Sequence, residues 1–153
     1  MKICISFFLL IYSGLLLSQS GITFEKYDIR DGLSQTIVNC IEQDQKGYIW
    51  VGTQDGLNKF DGYKFQVFKP DPFDPNSIAD NYINDVLADK SNHIWIATES
   101  GLSIYDDLTQ NFIRLDSVVE EIFRDQKINH VLEDKSGNIW ISTEEIGLFQ
   151  FNP

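Results

Sequence analysis

The tripeptide Ile-Trp-aliphatic occurs three times, as Ile49-Trp50-Val51, Ile94-Trp95-Ile96 and Ile139-Trp140-Ile141, with successive tryptophans 45 residues apart. All three tryptophans of the chain are spent on this register. A period of that length marks one supersecondary unit used repeatedly, so the fold is decided by how the units stack. The flanks keep the same step, in Asn39, Asn84 and Asn129, in Asp44, Asp89 and Asp134, and in Thr53, Thr98 and Thr143. Gly56 and Gly101 keep it too, whereas Gly147 arrives one residue late behind Glu144-Glu145-Ile146. A turn is where such an insertion is best tolerated.

Each repeat reads as short antiparallel strands. A first strand around Ile37 to Ile41, Tyr82 to Leu87 or Ile128 to Leu132 leads through Asp-x-x to Gly47, Asn92 or Gly137, residues suited to the positive φ of a tight hairpin. A second strand carries the tryptophan, a third begins at the Gly-Leu turn, and a fourth has the pattern aromatic-x-x-apolar, as in Phe65-Gln66-Val67-Phe68 and Phe112-Ile113-Arg114-Leu115. Four such strands per repeat make one propeller blade. The continuous apolar runs around each tryptophan fit sheets covered on both faces. Two residues beyond each tryptophan stands a small residue, Gly52, Ala97 or Ser142, which leaves room for a neighbouring blade. A helical solenoid lacks the required spacing of three and four, except over residues 116–126, read as a long interblade loop with a helical turn. The other interblade loop, residues 69–77, holds Pro70, Pro72 and Pro75 and is expected to be extended and exposed.

The fold class is therefore all-β: four-stranded antiparallel β-propeller blades, about three of them in an incomplete ring. Residues 31–77 form blade 1, 78–125 blade 2 and 126–153 a partial blade 3 without its fourth strand. Phe24-Glu25-Lys26-Tyr27, within residues 21–30, repeats the fourth-strand pattern ahead of the first repeat. It reads as a displaced outer strand that completes the closing blade of a ring. Closed propellers use about four to eight blades. The chain is therefore expected to be a piece of a longer protein or to assemble with other copies, and to expose an apolar blade face.

Residues 1–20 read as an export signal: Lys2, an apolar run from Ile3 to Leu17, and Ser18-Gln19-Ser20 before Gly21. A membrane anchor is the competing reading, but the run is short, broken by Ser6, Ser13 and Gly14, and no positive stop follows it. A periplasmic location follows. Cleavage would leave Cys40 as the sole thiol, so no intrachain disulfide is expected. The net charge of −11 disfavours nucleic acid and anionic membranes as partners.

Asp31-Gly32-Leu33-Ser34, the run from Ile41 to Gly62, the link Pro75-Asn76-Ser77-Ile78 and the run from Asp134 to Thr143 together strongly resemble the two-component regulator propeller repeat. The resemblance covers nearly everything after residue 22. It implies the N-terminal part of a periplasmic sensor, typically with paired seven-bladed propellers, ahead of an immunoglobulin-like domain, a membrane span and a histidine kinase. In hybrid members, common in Bacteroidetes, a response regulator and DNA-binding helices follow, and oligosaccharides are the ligands often sensed. This chain departs from that pattern in having no kinase, no span after the signal and too few blades, so phosphotransfer by the chain itself is not expected.

Candidate site residues are few. Asn39, Asn84 and Asn129 lie on the first strand, nearest a propeller's channel, where they line a polar funnel or satisfy crowded backbone groups. Tyr63, Phe73 and Tyr82 are aromatics that stack on sugar rings or serve packing. Asp44, Asp89 and Asp134 open hairpins and are read as structural, bonding nearby amides. They stand three residues before the turn glycine, unlike the sialidase Asp-box. His93 and His130 occupy different repeat positions, so no metal site is expected, nor any cofactor. Three function classes remain open: a ligand-sensing ectodomain, a propeller hydrolase or lyase needing a unique acid and base such as Glu120-Glu121 or Glu144-Glu145, and a protein-interaction scaffold.

Overall fold

The computed structural model describes residues 22–115 and 121–152. The expected signal and part of the second interblade loop lie outside the described residues. The ordered elements form three antiparallel sheets. The first sheet is β1 (Val38–Gln43), β2 (Ile49–Thr53), β3 (Gly56–Phe60) and β4 (Phe65–Phe68), and the second is β5 (Ile83–Ala88), β6 (Ile94–Thr98), β7 (Gly101–Asp106) and β8 (Asn111–Arg114). The third contains β9 (Ile128–Glu133), β10 (Ile139–Thr143) and β11 (Leu148–Phe151). Within each sheet the strands pair in sequence order, as in propeller blades.

The turns take the forms the residues dictate. Gly47 (φ 87°), Asn92 (φ 64°) and Gly137 (φ 90°) occupy the left-handed region in the β1–β2, β5–β6 and β9–β10 hairpins. The later turn is closed by threonine: Thr53, Thr98 and Thr143 Oγ1 donate to the carbonyls of Gly56, Gly101 and Gly147 at 2.9, 2.7 and 2.8 Å. The inserted residue before Gly147 is absorbed without loss of that bond.

Two apolar cores lie between the sheets, not within any one of them. Trp50, Leu57, Ile83, Ile96 and Tyr105 belong to the core joining blades 1 and 2, and Trp95, Leu102, Ile128 and Ile141 to the core joining blades 2 and 3. Gly52 is small because of this contact: a Cβ there would stand 2.4 Å from Cys40 Sγ and 2.6 Å from Ile83 Cγ2 of the next blade. Ring stacking adds to burial, Trp50 lying 5.0 Å from Tyr105 and 6.0 Å from Phe68.

Two expectations need adjustment. The proline-bearing link is exposed but not extended: Asp71-Pro72-Phe73-Asp74 and Asp74-Pro75-Asn76-Ser77 are successive tight turns, closed by Asp74 N–H on Asp71 O and Ser77 N–H on Asp74 O at 3.1 Å each. Asp at the first turn position and Pro at the second favour that geometry, and each Asp side chain accepts an amide two residues on, at 2.9 Å. Residues 22–28 form no strand within this chain. They lead into a 3-10 turn, Ile29–Asp31, whose capping Asp28 holds Arg30. In the second link, Glu121–Phe123 is a single 3-10 turn that buries Phe123 against blade 3.

Candidate functional site

The repeated aspartates and tryptophans are one device. Asp44 Oδ1 accepts the amides of Lys46 and Tyr48 at 2.9 and 3.0 Å, while its Oδ2 accepts Trp50 Nε1 at 2.9 Å. Asp89 repeats this with Ser91, His93 and Trp95 Nε1, and Asp134 with Ser136, Asn138 and Trp140 Nε1, the latter at 3.0 Å. Each carboxylate thus folds its own hairpin and pins its indole, which in the first two blades enters the next interface. Burial opposes the charge on Asp89, but bonds from Trp95 and His93 outweigh it and hold its pKa below the ordinary value. The Trp140 and Asn138 donors hold Asp134 well below that range. Carboxylates committed in this way are poor proton shuttles.

The three asparagines are bulge residues. The ladder slips between Val38 and Cys40, between Ile83 and Asp85, and between the partners of Ser142 and Thr143, so Asn39, Asn84 and Asn129 each fall where one residue is extra. The bulge turns the side chain towards the next blade. Asn39 Nδ2 donates to Ile83 O at 2.7 Å and Asn84 Nδ2 to Ile128 O at 2.9 Å, both 44 residues ahead. Two of the three are therefore struts between blades. Asn129 has the same position but no following blade among the described residues.

The aromatic candidates do not converge. Tyr63 stands on the β3–β4 turn and is 95% exposed, whereas Phe73 is on the first link and 96% exposed. Antiparallel alternation places the β3–β4 turn and the links at opposite ends of the sheet. Tyr82 is at the link end, where its hydroxyl accepts from Gln54 Nε2 at 3.1 Å.

Sequence reasoning missed a half-buried cation. Lys59 Nζ lies 4.2 Å above the Tyr48 ring and 5.1 Å above Trp50, and bonds Asp107 of the next blade at 3.1 Å. Lys46 also reaches Asp107, and these two ammonium groups, Lys46 first, hold that carboxyl below its usual value. The signal was a lysine between Asn58 and Phe60 on β3, opposite Trp50. Cys40 is no nucleophile: burial, aided by the Asp85 charge, pushes its thiol up to about 12.

A cavity of about 590 Å³ opens between blades 2 and 3, lined by Trp95, Ile104, Ile113, Phe149 and Phe151, among others. Its rim carries Asp89, already bonded, and Glu133, which accepts Lys90 N–H at 2.8 Å. Of the acidic pairs, Glu144 faces Lys127 at 3.6 Å on the surface, Glu145 is exposed, and Glu120 lies outside the described residues. Among the described residues no cluster of His, Cys, Asp and Glu is placed to hold a metal ion, and no helix is long and apolar enough to cross a membrane.

The sequence pattern of the family described as "Two component regulator propeller" matches residues 32–55, 77–100 and 122–145, one stretch in each blade. The repeats are two-component regulator propeller repeats. Their arrangement is similar to the extracellular domain of BT3049 from B. thetaiotaomicron, assigned to a hybrid two-component system, with 31% identity and a TM-score of 0.72 over 82% of this chain and 18% of that one. The extracellular domain of BT4673 from the same organism, assigned to a one-component system, gives 25% identity and a TM-score of 0.60 over 74% of this chain and 16% of that one. A "Histidine kinase P4" of Formosa agariphila is 50% identical over 60 residues, 39% of this chain and 4% of that protein. This propeller chain thus spans under a fifth of each of these relatives.

Proposed function

We propose that these blades are the N-terminal part of an extracytoplasmic sensor propeller, which binds an oligosaccharide and signals to a histidine kinase carried outside this stretch of sequence. The observation that carries the reading is the similarity to an extracellular domain across 82% of this chain, at 31% identity. The apparent leader at residues 1–20 supports export to the periplasm. The chemistry of the blades supports binding over catalysis: the repeated carboxylates and two of the asparagines hold the scaffold, and the thiol is inert.

Ligand contacts then fall on residues that depart from the repeat. Phe73 and Tyr82 stand at the link end and offer ring faces to a sugar, while Tyr63 serves the opposite end. Calorimetric titration of the complete ectodomain with a panel of oligosaccharides tests this. Saturable heat with one glycan class, weakened by Phe73→Ala and Tyr82→Ala together, is expected. No heat with any glycan would remove the oligosaccharide reading, and hydrolysis of the glycan would replace sensing by catalysis.

A further inference from the structure

The inner hairpin of every blade ends in the same frame. One step beyond the last ladder pair, an amide on the tryptophan strand donates to a carbonyl on the inner strand: Gln54 N–H to Ile37 O at 3.4 Å, Glu99 N–H to Tyr82 O at 3.1 Å and Glu144 N–H to Lys127 O at 3.0 Å. Each of these residues stands 45 positions from its counterpart in the next blade. The backbone is constant and the side chains are not, Ile with Gln, Tyr with Glu and Lys with Glu taking the two places in turn. A position whose geometry is set by the repeat, and whose chemistry changes from blade to blade, carries specificity without cost to the fold.

The side chains at these places touch across the junctions. Gln54 of blade 1 donates from Nε2 to the Tyr82 hydroxyl of blade 2 at 3.1 Å, and Glu99 of blade 2 meets Lys127 of blade 3 at 3.3 Å. Within blade 2, Tyr82 and Glu99 stand opposite each other at the end of the β5–β6 ladder, so their side chains leave the sheet on one side. The four form a belt along the link end of the inner strands, which in a propeller border the central channel.

Tyr82 is fixed in this belt. Its amide donates to Asp80 Oδ1 at 2.7 Å, its carbonyl accepts from Glu99, and its hydroxyl oxygen accepts from Gln54, which leaves the O–H proton to be given to a further group. Tyr82 and Glu99 are both half-buried. An aromatic face, a hydroxyl donor and a carboxylate acceptor held side by side match what a pyranose presents, an apolar C–H face rimmed by hydroxyls. The surrounding charges select further. Lys69 is bound to Asp55 at 2.6 Å, and Lys127 lies between Glu99 and Glu144, at 3.3 and 3.6 Å. These lysines are engaged by carboxylates, and Asp80 adds another beside Tyr82, so an acidic sugar meets like charge.

We propose that Tyr82 and Glu99 form a sugar subsite that takes a neutral pyranoside, stacked on the Tyr82 ring with vicinal hydroxyls bonded to the Glu99 carboxylate. Gln54 acts through Tyr82 as a positioning residue, setting the ring and the direction of its O–H. This subsite presupposes the sensor reading above and narrows it to one junction and one class of sugar.

Calorimetry of the complete ectodomain tests both levels. The probes are tetrasaccharides of glucose, mannose, xylose and galactose, with tetragalacturonate as the acidic member. A neutral probe is expected to bind, and tetragalacturonate to give no saturable heat. Tyr82→Ala should weaken the neutral probe by about thirtyfold and Glu99→Gln by about tenfold. Should Tyr82→Ala disturb the junction and melt early, the near-isosteric Glu99→Gln carries the test by itself. Gln54→Ala should weaken binding about threefold in the otherwise unaltered protein and add nothing to Tyr82→Phe, which lacks the oxygen that Gln54 holds; a merely structural Gln54 lowers both alike. Binding of a neutral probe that Tyr82→Ala and Glu99→Gln leave unchanged overturns the subsite while the sensor reading stands. Binding of tetragalacturonate alone overturns the choice of sugar class. No heat from any probe overturns the subsite and the sensor reading together.

Discussion

Strands β6 and β10 carry nearly the same residues, Ile-Trp-Ile-Ala-Thr and Ile-Trp-Ile-Ser-Thr, but only β6 is buried along its whole length. In β10 burial alternates: Ile139, Ile141 and Thr143 are buried, while Trp140 and Ser142 are half-covered. The motif is thus written for a strand covered on both faces, and blade 3 supplies one cover. Burial here belongs to the junction between blades, as expected where each repeat contacts only its neighbours. Blade 2 is finished because it has two neighbours.

Variants at matched positions measure that difference. The largest contrast is at tryptophan. Trp50→Ala empties the closed core between blades 1 and 2 and should cost about 3–5 kcal/mol, whereas Trp140→Ala should cost less than half as much in denaturant unfolding; equal losses would refute the contrast. Next is the small position two residues on. Gly52→Ala drives a Cβ against Cys40 and Ile83 and should cost about 1–3 kcal/mol, while Ser142→Thr, adding a methyl to an open face, stays within about 0.5 kcal/mol.

The asparagine struts come third. Asn84→Ala removes a bond to Ile128 O and should cost about 1 kcal/mol; Asn129→Ala, with no following blade among the described residues, should be near neutral by the same measurement in residues 21–153 expressed alone. The smallest effect is of pH. Asp89 and Asp134 have folded pKa values below their unfolded ones. Their stabilisation is therefore full above the ordinary carboxylate pKa of about 4 and is lost as pH falls through the lower folded values. Melting temperature should be level near neutrality and decline in acid, and Asp134→Asn should flatten the blade 3 share of that decline.

Much of this was legible in the sequence. The tryptophan register gave the blades, Gly47, Asn92 and Gly137 gave the hairpins, and Gly52, Ala97 and Ser142 marked the close approach of sheets. These are local requirements, which one repeat expresses by itself. The Asp-to-indole bond was not legible, since six residues separate its ends and only the hairpin joins them. The bulge that aims Asn39 and Asn84 at the next blade was not legible either, because a ladder slip leaves no mark in residue type, although satisfying backbone groups was one of the two uses read for them. Two Asp-Pro pairs did signal turns in the link, and the prolines were read as extension instead. The candidate site was less legible than the fold: Tyr63, Phe73 and Tyr82 repeat nowhere, and without repetition the sequence offers no register in which to place them.

The central claim is that each blade is finished by its neighbours, as blades 1 and 2 finish the junction between them. Amide hydrogen exchange of residues 21–153 expressed alone, resolved to single strands, tests it most directly. The account predicts that β7, paired on both sides, exchanges slowly throughout, while alternate amides of β11, pointing to the vacant edge, exchange at nearly the rate of free chain. Protection along all of β11 equal to that of β7 would contradict it.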